Sequence, residues 1–234
     1  MNRIVPQSFF SSPLSLVLVM LLIPTLFLGC NDGDSSSSGD SGTSNDASAT
    51  PSATSPDFGN NDANVLVAIG DSITAGSTIT GLTYPQRLSS ILGKTVVNAG
   101  VGGALSSAAP GQARNALSRK PGFLLMMFGT NDVFREISPD TVANNLASAI
   151  RMAKANKTVP LVATIPPNLK SGFQNDFVAS INSRIRAMAA NEGAILVHVN
   201  AEFGNGSGLI QADGFHPNDT GTQIIAFAFA DALR

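Results

Sequence analysis

The stretch that decides the fold is VLVAIGDSITAG, Val65–Gly76. Its apolar run stops abruptly at Gly70-Asp71-Ser72. A continuous apolar run closed by a glycine turn is the pattern of a strand buried on both faces of a parallel sheet. Open α/β sheets place their ligands just beyond the carboxyl ends of such strands. Ser72 stands at that point and is a candidate nucleophile.

The pattern repeats downstream. Thr95–Asn98 (TVVN), Phe123–Phe128 (FLLMMF), Val159–Ile165 (VPLVATI) and Ala194–Val199 (AILVHV) read as four further strands, with FLLMMF, the most apolar, at the centre. Segments of helical spacing separate them: Thr83–Leu92, Pro110–Arg119, a helix opened by Ser138-Pro139-Asp140, one from about Asn175 closed by Gly193, and Thr220–Leu233. Serine, proline and an acid in that order start a helix for three reasons. Serine caps free amides, proline fits the first turn, and the acid complements the positive helix end. Buried strands alternating with helices predict an α/β fold, a three-layer α/β/α sandwich around a five-stranded parallel sheet. In the strand order 2-1-3-4-5, the switch point falls between the strands that end at Ser72 and Asn131.

The amino-terminal region has a different composition. Arg3 precedes the apolar run Leu14–Leu28, which Pro24 interrupts and Gly29-Cys30 follows. Residues 1–29 resemble a bacterial lipoprotein signal peptide rather than a spanning helix. That resemblance implies cleavage before Cys30 and lipidation of its thiol, although Phe27 occupies the place where the usual box has Leu, Val or Ile. An uncleaved membrane anchor is the alternative. Cys30 is the sole cysteine, so no intramolecular disulfide can form. Residues 30–62 are rich in Ser, Gly and Asp with Phe58 as the one large apolar side chain, the composition of a disordered tether. The expected location is the cell envelope, lipid-anchored to a bacterial membrane and facing the periplasm or exterior. Residues 63–234 then form the folded domain.

Composition excludes several function classes. The formal net charge is −2, tryptophan is absent and Tyr84 is the only tyrosine, so neither a basic stripe nor an aromatic platform for nucleic acid exists. Gly100-Val101-Gly102 after a strand invites a dinucleotide reading. Leu105 stands at the third glycine position, however, and no acid follows about 20 residues on. The two histidines lack metal-ligand spacing, and no metal or organic cofactor is implied.

A serine nucleophile needs a base, and the base needs a partner that holds its tautomer. His198 lies inside the fifth predicted strand and reads as a structural histidine. His216 lies in a loop, three residues after Asp213, a spacing that lets one turn of chain aim the carboxylate at the imidazole. Candidate oxyanion donors are the Ser72 and Gly103 amides and the side-chain amide of Asn131. The bland readings are an Asp-Gly turn at 213–214, a tight glycine loop at 100–103 and a helix cap at Asn131. Asp71 adjoins Ser72 but yields the triad role to Asp213 and shapes the turn.

GDSIT (Gly70–Thr74), NAGVGG (Asn98–Gly103), GTND (Gly129–Asp132) and DGFHP (Asp213–Pro217) resemble, in order, the four blocks of the SGNH or GDSL hydrolases. The resemblance spans Ala63–Arg234 and implies the flavodoxin-like SGNH hydrolase fold. It makes Ser72 the nucleophile, places Gly103 and Asn131 in the oxyanion hole, and completes the triad with His216 and Asp213. Tyr84-Pro85 is similar to the secreted thioesterase/lysophospholipase branch. Ala104-Leu105 depart from the Asp and Thr that many members place there, which bears on the loop's hydrogen bonding and on substrate preference.

The expected protein is a monomeric extracytoplasmic ester hydrolase of carboxylesterase, lipase or thioesterase type. It would act through an acyl-serine on a small-molecule, lipid or carbohydrate ester. The alternatives are acyl or acetyl transfer or O-deacetylation on cell-envelope carbohydrate, and a non-catalytic ligand-binding module. Specificity falls to the loops Thr78–Leu82, Val133–Ile137 and Pro166–Gln174. Within them Phe134, Leu169 and Phe173 either offer an acyl surface or pack inward, and inward packing is the preferred reading.

Overall fold

In the computed structural model, which describes residues 56–234, the run around Val65 is a strand at the heart of a parallel sheet. This strand, β1 (Asp62–Gly70), lies beside β3 (Pro121–Met127), and Leu66–Ile69 and Leu124–Met127 are fully buried. The remaining strands are β2 (Thr95–Asn98), β4 (Val159–Ala163) and β5 (Ile195–Val197), giving a five-stranded sheet of order β2-β1-β3-β4-β5. All its pairings are parallel. Among the helices, α1 (Ser72–Ala75) and α2 (Tyr84–Leu92) follow β1, and α3 (Ala109–Leu117) follows β2. Next come α4 (Thr130–Phe134), α5 (Pro139–Ala155), α6 (Gly172–Glu192), α7 (Val199–Phe203) and α8 (Asp219–Asp231). Helices α3, α5 and α6 pack side by side as one layer, and α2 packs with α8 in the other.

Local chemistry explains the helix starts. Thr83 and Gln86 form a reciprocal capping box on α2. Ser138, Ser171 and Asn218 cap α5, α6 and α8 through side-chain oxygens that accept from backbone amides of the first turn. Tyr84 is fully buried, stacked on Phe229 at 5.3 Å, and its hydroxyl lies 3.2 Å from Thr74 Oγ1. Arg87 of α2 pairs with Asp219 and with Gln223 of α8, so the helix that follows the first strand is tied to the last helix.

The structure changes the sequence reading of several elements. The edge strands β2 and β5 are only partly buried, because each has a neighbour on one side alone. Strand β4 stops at Ala163 rather than Ile165: Asn182 of α6 takes both the amide and the carbonyl of Ile165, at 2.8 and 2.9 Å. Helix α6 begins at Gly172 rather than near Asn175, because Ser171 is the cap. Residues 57–62, assigned to the tether by composition, pack on the domain. Phe58 meets the ring of Phe123 at 5.2 Å, Asp57 pairs with Lys157, and Asp62 opens β1. The signal-peptide reading of residues 1–29 and the lipidation of Cys30 concern residues outside those described. No helix among the described residues is long and apolar enough to cross a membrane.

Among the described glycines, Gly70 leaves the least room for a side chain. A β-carbon there would stand 2.1 Å from Thr74 Oγ1 and 2.6 Å from the Met127 carbonyl oxygen. Overpacking of this kind costs about 1–3 kcal/mol or more. Gly70→Ala should therefore destabilise the domain by at least about 2 kcal/mol, measured as a lowered urea midpoint. An unchanged midpoint would show that β1 and β3 separate freely at this point.

Candidate active site

Strand β1 ends at Gly70, and the chain turns at once. Asp71 caps the short helix α1, its Oδ1 accepting from the Ile73 amide at 2.9 Å, and Ser72 is the first helical residue. Gln112 of α3 holds the strand end: its Oε1 accepts from the Gly70 amide at 3.1 Å and its Nε2 donates to the Gly70 carbonyl at 3.2 Å. The paired strand β3 delivers Thr130 and Asn131 to the same edge, since Met127 is in register with Gly70.

The loop before α8 brings the remaining groups. Asp213 Oδ1 accepts from the amides of Phe215 and His216 at 3.1 and 3.0 Å, while its Oδ2 is 2.6 Å from His216 Nδ1. His216 Nε2 is 2.9 Å from Ser72 Oγ. An ionised carboxylate only accepts, so the Asp213 contact places the imidazole proton on Nδ1 and leaves Nε2 to accept from the Ser72 hydroxyl. Ser72 and His216 are 9% and 8% exposed, enough to be reached yet shielded from bulk water. Gly214, at φ +86°, makes the turn between acid and base. A β-carbon there would also lie 2.9 Å from Lys170 Cγ, and the Gly214 carbonyl accepts from the Leu169 amide at 2.7 Å.

The Ser72 and Gly103 amides engage no acceptor among the described residues. Asn131 Nδ2 donates to the Ala104 carbonyl at 3.0 Å. That bond and a buried knot behind it fix the glycine loop where this chain departs from the usual Asp-Thr pair. Ser106 donates from its amide and its hydroxyl to the two oxygens of Asp132, at 2.9 and 2.6 Å, and Asn145 Nδ2 donates to Ser106 Oγ. On the other flank, Asn98 Nδ2 donates to the Thr74 carbonyl and Asn98 Oδ1 accepts from the Gly100 amide.

Electrostatics differ sharply between the two aspartates that adjoin the site. Burial is the largest single influence on Asp213 and would raise its pKa. Hydrogen bonds from the His216 ring and from the His216 and Phe215 amides outweigh it and hold the carboxyl below its ordinary value. At Asp71 burial dominates and pushes the pKa up to about 7, with the negative Asp132 adding to the effect and the Ile73 amide opposing it.

The structure brings Ser72, His216 and Asp213 into one chain of hydrogen bonds at the β1–β3 edge. His198 is not where the sequence placed it. The strand ends at Val197, and His198 is an exposed residue at the start of α7. Leu169 and Phe173 do not pack inward: they are 46% and 62% exposed. Phe134 is half-buried, edge-on to Phe215 at 4.8 Å, with Lys170 Nζ 5.5 Å from each ring. Gln112, Ser106 and Asn145 escaped sequence reasoning because each acts on backbone or on another side chain far away in sequence, which no local pattern records.

The fold agrees with the comparisons to known proteins. The chain belongs to the GDSL-like lipase/acylhydrolase family, whose profile matches residues 68–224, and it is a hydrolase acting on esters. Esterase TesA of Pseudomonas aeruginosa is 31% identical over 168 residues, which cover 66% of this chain and 80% of that protein. A crystal structure of TesA matches with a TM-score of 0.62 and 26% identity over 73% of this chain and 98% of that one. Axe2, an acetylxylan esterase from Geobacillus stearothermophilus, shares the fold with a TM-score of 0.64 at 20% identity, covering 74% and 95% of the two chains.

The raised pKa of Asp71 sets a pH dependence of stability. Unfolded, Asp71 gives up its proton near 3.8; folded, it keeps the proton to about 7. Its contribution to stability is therefore full below the lower value and is lost as pH rises towards the upper one. Asp71→Asn has no such proton. Between those two pH values the wild type should lose on the order of 4 kcal/mol relative to the variant, read from urea unfolding at several pH values. Parallel stability curves would refute the assignment.

Proposed function

We propose that the protein is an extracytoplasmic serine esterase that works through an acyl-serine intermediate. The observation that carries this reading is the 2.9 Å contact between Ser72 Oγ and His216 Nε2, with Asp213 on the far nitrogen. His216 takes the Ser72 proton as Oγ attacks the ester carbonyl. The imidazolium that forms is held by Asp213, and it then protonates the leaving alcohol or thiol. In the second half of the cycle His216 activates water against the acyl-serine. The developing oxyanion is met by the amides of Ser72 and Gly103 and by Asn131 Nδ2. Because Asn131 already donates one proton to the Ala104 carbonyl, its orientation is set before substrate arrives.

The rings of Phe134, on the same short helix as Asn131, and Phe215 meet edge-on, and the Phe215 ring lies 4.2 Å from that of His216. They offer an acyl surface beside His216. A carboxylic ester or thioester with an apolar acyl group fits this surface. The lipoprotein-like sequence ending at Cys30 supports tethering at a bacterial envelope, with residues 31–56 as the spacer.

Turnover of p-nitrophenyl esters of graded chain length tests the chemistry. Ser72→Ala and His216→Ala should each lower kcat by at least roughly a thousandfold. Asn131→Ala should cost about 10²–10³ in kcat with little change in KM, as for loss of one oxyanion donor. Turnover that survives Ser72→Ala would overturn the mechanism. Cys30→Ser should abolish lipid labelling and leave the precursor uncleaved; a variant that matures normally and stays on the membrane would exclude the lipid anchor.

A further inference from the structure

A buried carboxylate that the triad does not use lies one residue beyond Asn131. Asp132 is fully buried and forms no ion pair with any described Lys, Arg or His. Burial of such a group is costly unless hydrogen bonds hold it. Both of its oxygens accept: Oδ2 from the Ser106 amide at 2.9 Å and Oδ1 from the Ser106 hydroxyl at 2.6 Å. Asn145 of α5 sets the direction of the second bond. Its Nδ2 can only donate, so Ser106 Oγ accepts from it at 2.9 Å and turns its own proton towards Asp132. Ser106 is itself fully buried.

Ser106 stands three residues after Gly103, at the end of the loop that follows β2. Ala104 and Leu105, between them, have no polar side-chain atom with which to anchor that loop. A β-carbon at Gly103 would meet nothing within 4 Å, so packing does not fix its place either. Hydrogen bonds do. The Ala104 amide donates to the Val101 carbonyl at 3.1 Å and closes the turn, and the Ala104 carbonyl accepts from Asn131 Nδ2 at 3.0 Å. The loop that carries one oxyanion donor is thus tied to two consecutive residues of α4: Asn131, which carries another donor, and Asp132.

We propose that Asp132 is a positioning residue of the oxyanion hole: by gripping Ser106 it sets the spacing between the Gly103 amide and the Asn131 side-chain amide, so that both reach one oxygen. The inference rests on the roles given to Gly103 and Asn131 above. Fully buried, Asp132 acts through Ser106 rather than on substrate. A donor displaced from the point where the oxyanion forms loses its hold on the transition state and little of the ground-state binding. The effect therefore falls on kcat and spares KM.

The test is hydrolysis of p-nitrophenyl butyrate by variants that remain folded by circular dichroism. Asp132→Asn copies the shape but replaces one acceptor with an NH2 group, so one Ser106 bond is lost. It should lower kcat by roughly tenfold to a hundredfold and change KM by no more than about twofold. Ser106→Thr keeps the hydroxyl and Ser106→Val, of the same size, lacks it; Thr should retain at least about fivefold more kcat than Val, and this pair carries the test where Asp132→Asn does not fold. Butylboronic acid, which forms a tetrahedral adduct on a serine oxygen, should bind Asp132→Asn more weakly by about the factor lost in kcat. Asn131→Ala should cost far less in the Asp132→Asn background than in wild type, because the two residues place donors for one oxygen. Fully additive losses, a raised KM with unchanged kcat, or Thr and Val variants of equal kcat would overturn the proposal. Hydrogen exchange of the Ala104 amide, followed by nuclear magnetic resonance, reads the loop without turnover and should quicken in Asp132→Asn. Unchanged exchange refutes the grip even where no esterase activity is found, whereas quickened exchange without Ser72-dependent turnover faults the catalytic reading alone.

Discussion

Where β1 meets β3 at their carboxyl ends only a hydrogen atom fits at Gly70, because the Met127 carbonyl oxygen of β3 and Thr74 Oγ1 of α1 occupy the place of a side chain. The placement of the site depends on that contact. The two strands run parallel in register through Gly70 and Met127, so the residues that follow them emerge side by side. Polar groups freed where the ladder stops cannot be left unpaired in the interior. Gln112 takes those of Gly70, and Val101 adds a bond from the next loop to the same carbonyl. The sheet's end is thus closed by side chains and loops, and Ser72 is presented on a rigid support.

The region around Ser72 shows how one residue type serves opposite electrostatic ends. Asp213 lies at the surface of a loop with three hydrogen-bond donors aimed at it, and it is held ionised beside an imidazole. Asp71 lies under the sheet edge with one amide donor and another carboxylate for company, and burial favours its neutral form. Environment alone separates them, through desolvation on one side and donor count on the other. Asp213 is suited to stabilising a cation that appears during reaction.

Stability and access are divided between the two ends of the crossovers. The strands β1 and β3 and the inner faces of α5 and α6 are almost wholly apolar and buried. The site is assembled from short helices and loops, α1, α4 and the segment 204–218, which are held by caps and single polar contacts rather than by area. Gln211 is one such contact, donating from Nε2 to the Pro217 carbonyl and to Thr78. Leu169 remains at the surface because the loop that bears it is drawn towards Gly214 by the Leu169 amide rather than into the core, and Phe173 stays exposed in the first turn of α6.

The amino-acid sequence by itself determined the alternation of strands and helices, the placement of Ser72 and Asn131 at strand ends, and the one histidine–aspartate pair with triad spacing. Those features are local: apolar runs, glycine turns and caps express themselves within a few residues. Tertiary structure alone decided where β4 and β5 stop, because Asn182 competes for the backbone of Ile165 and the chain turns into α7 at His198. It also decided that Gln112 holds Gly70 and that Ser106 and Asn145 hold Asp132. Each of these joins groups remote in sequence, and partners of that kind are chosen by packing, which no local pattern encodes.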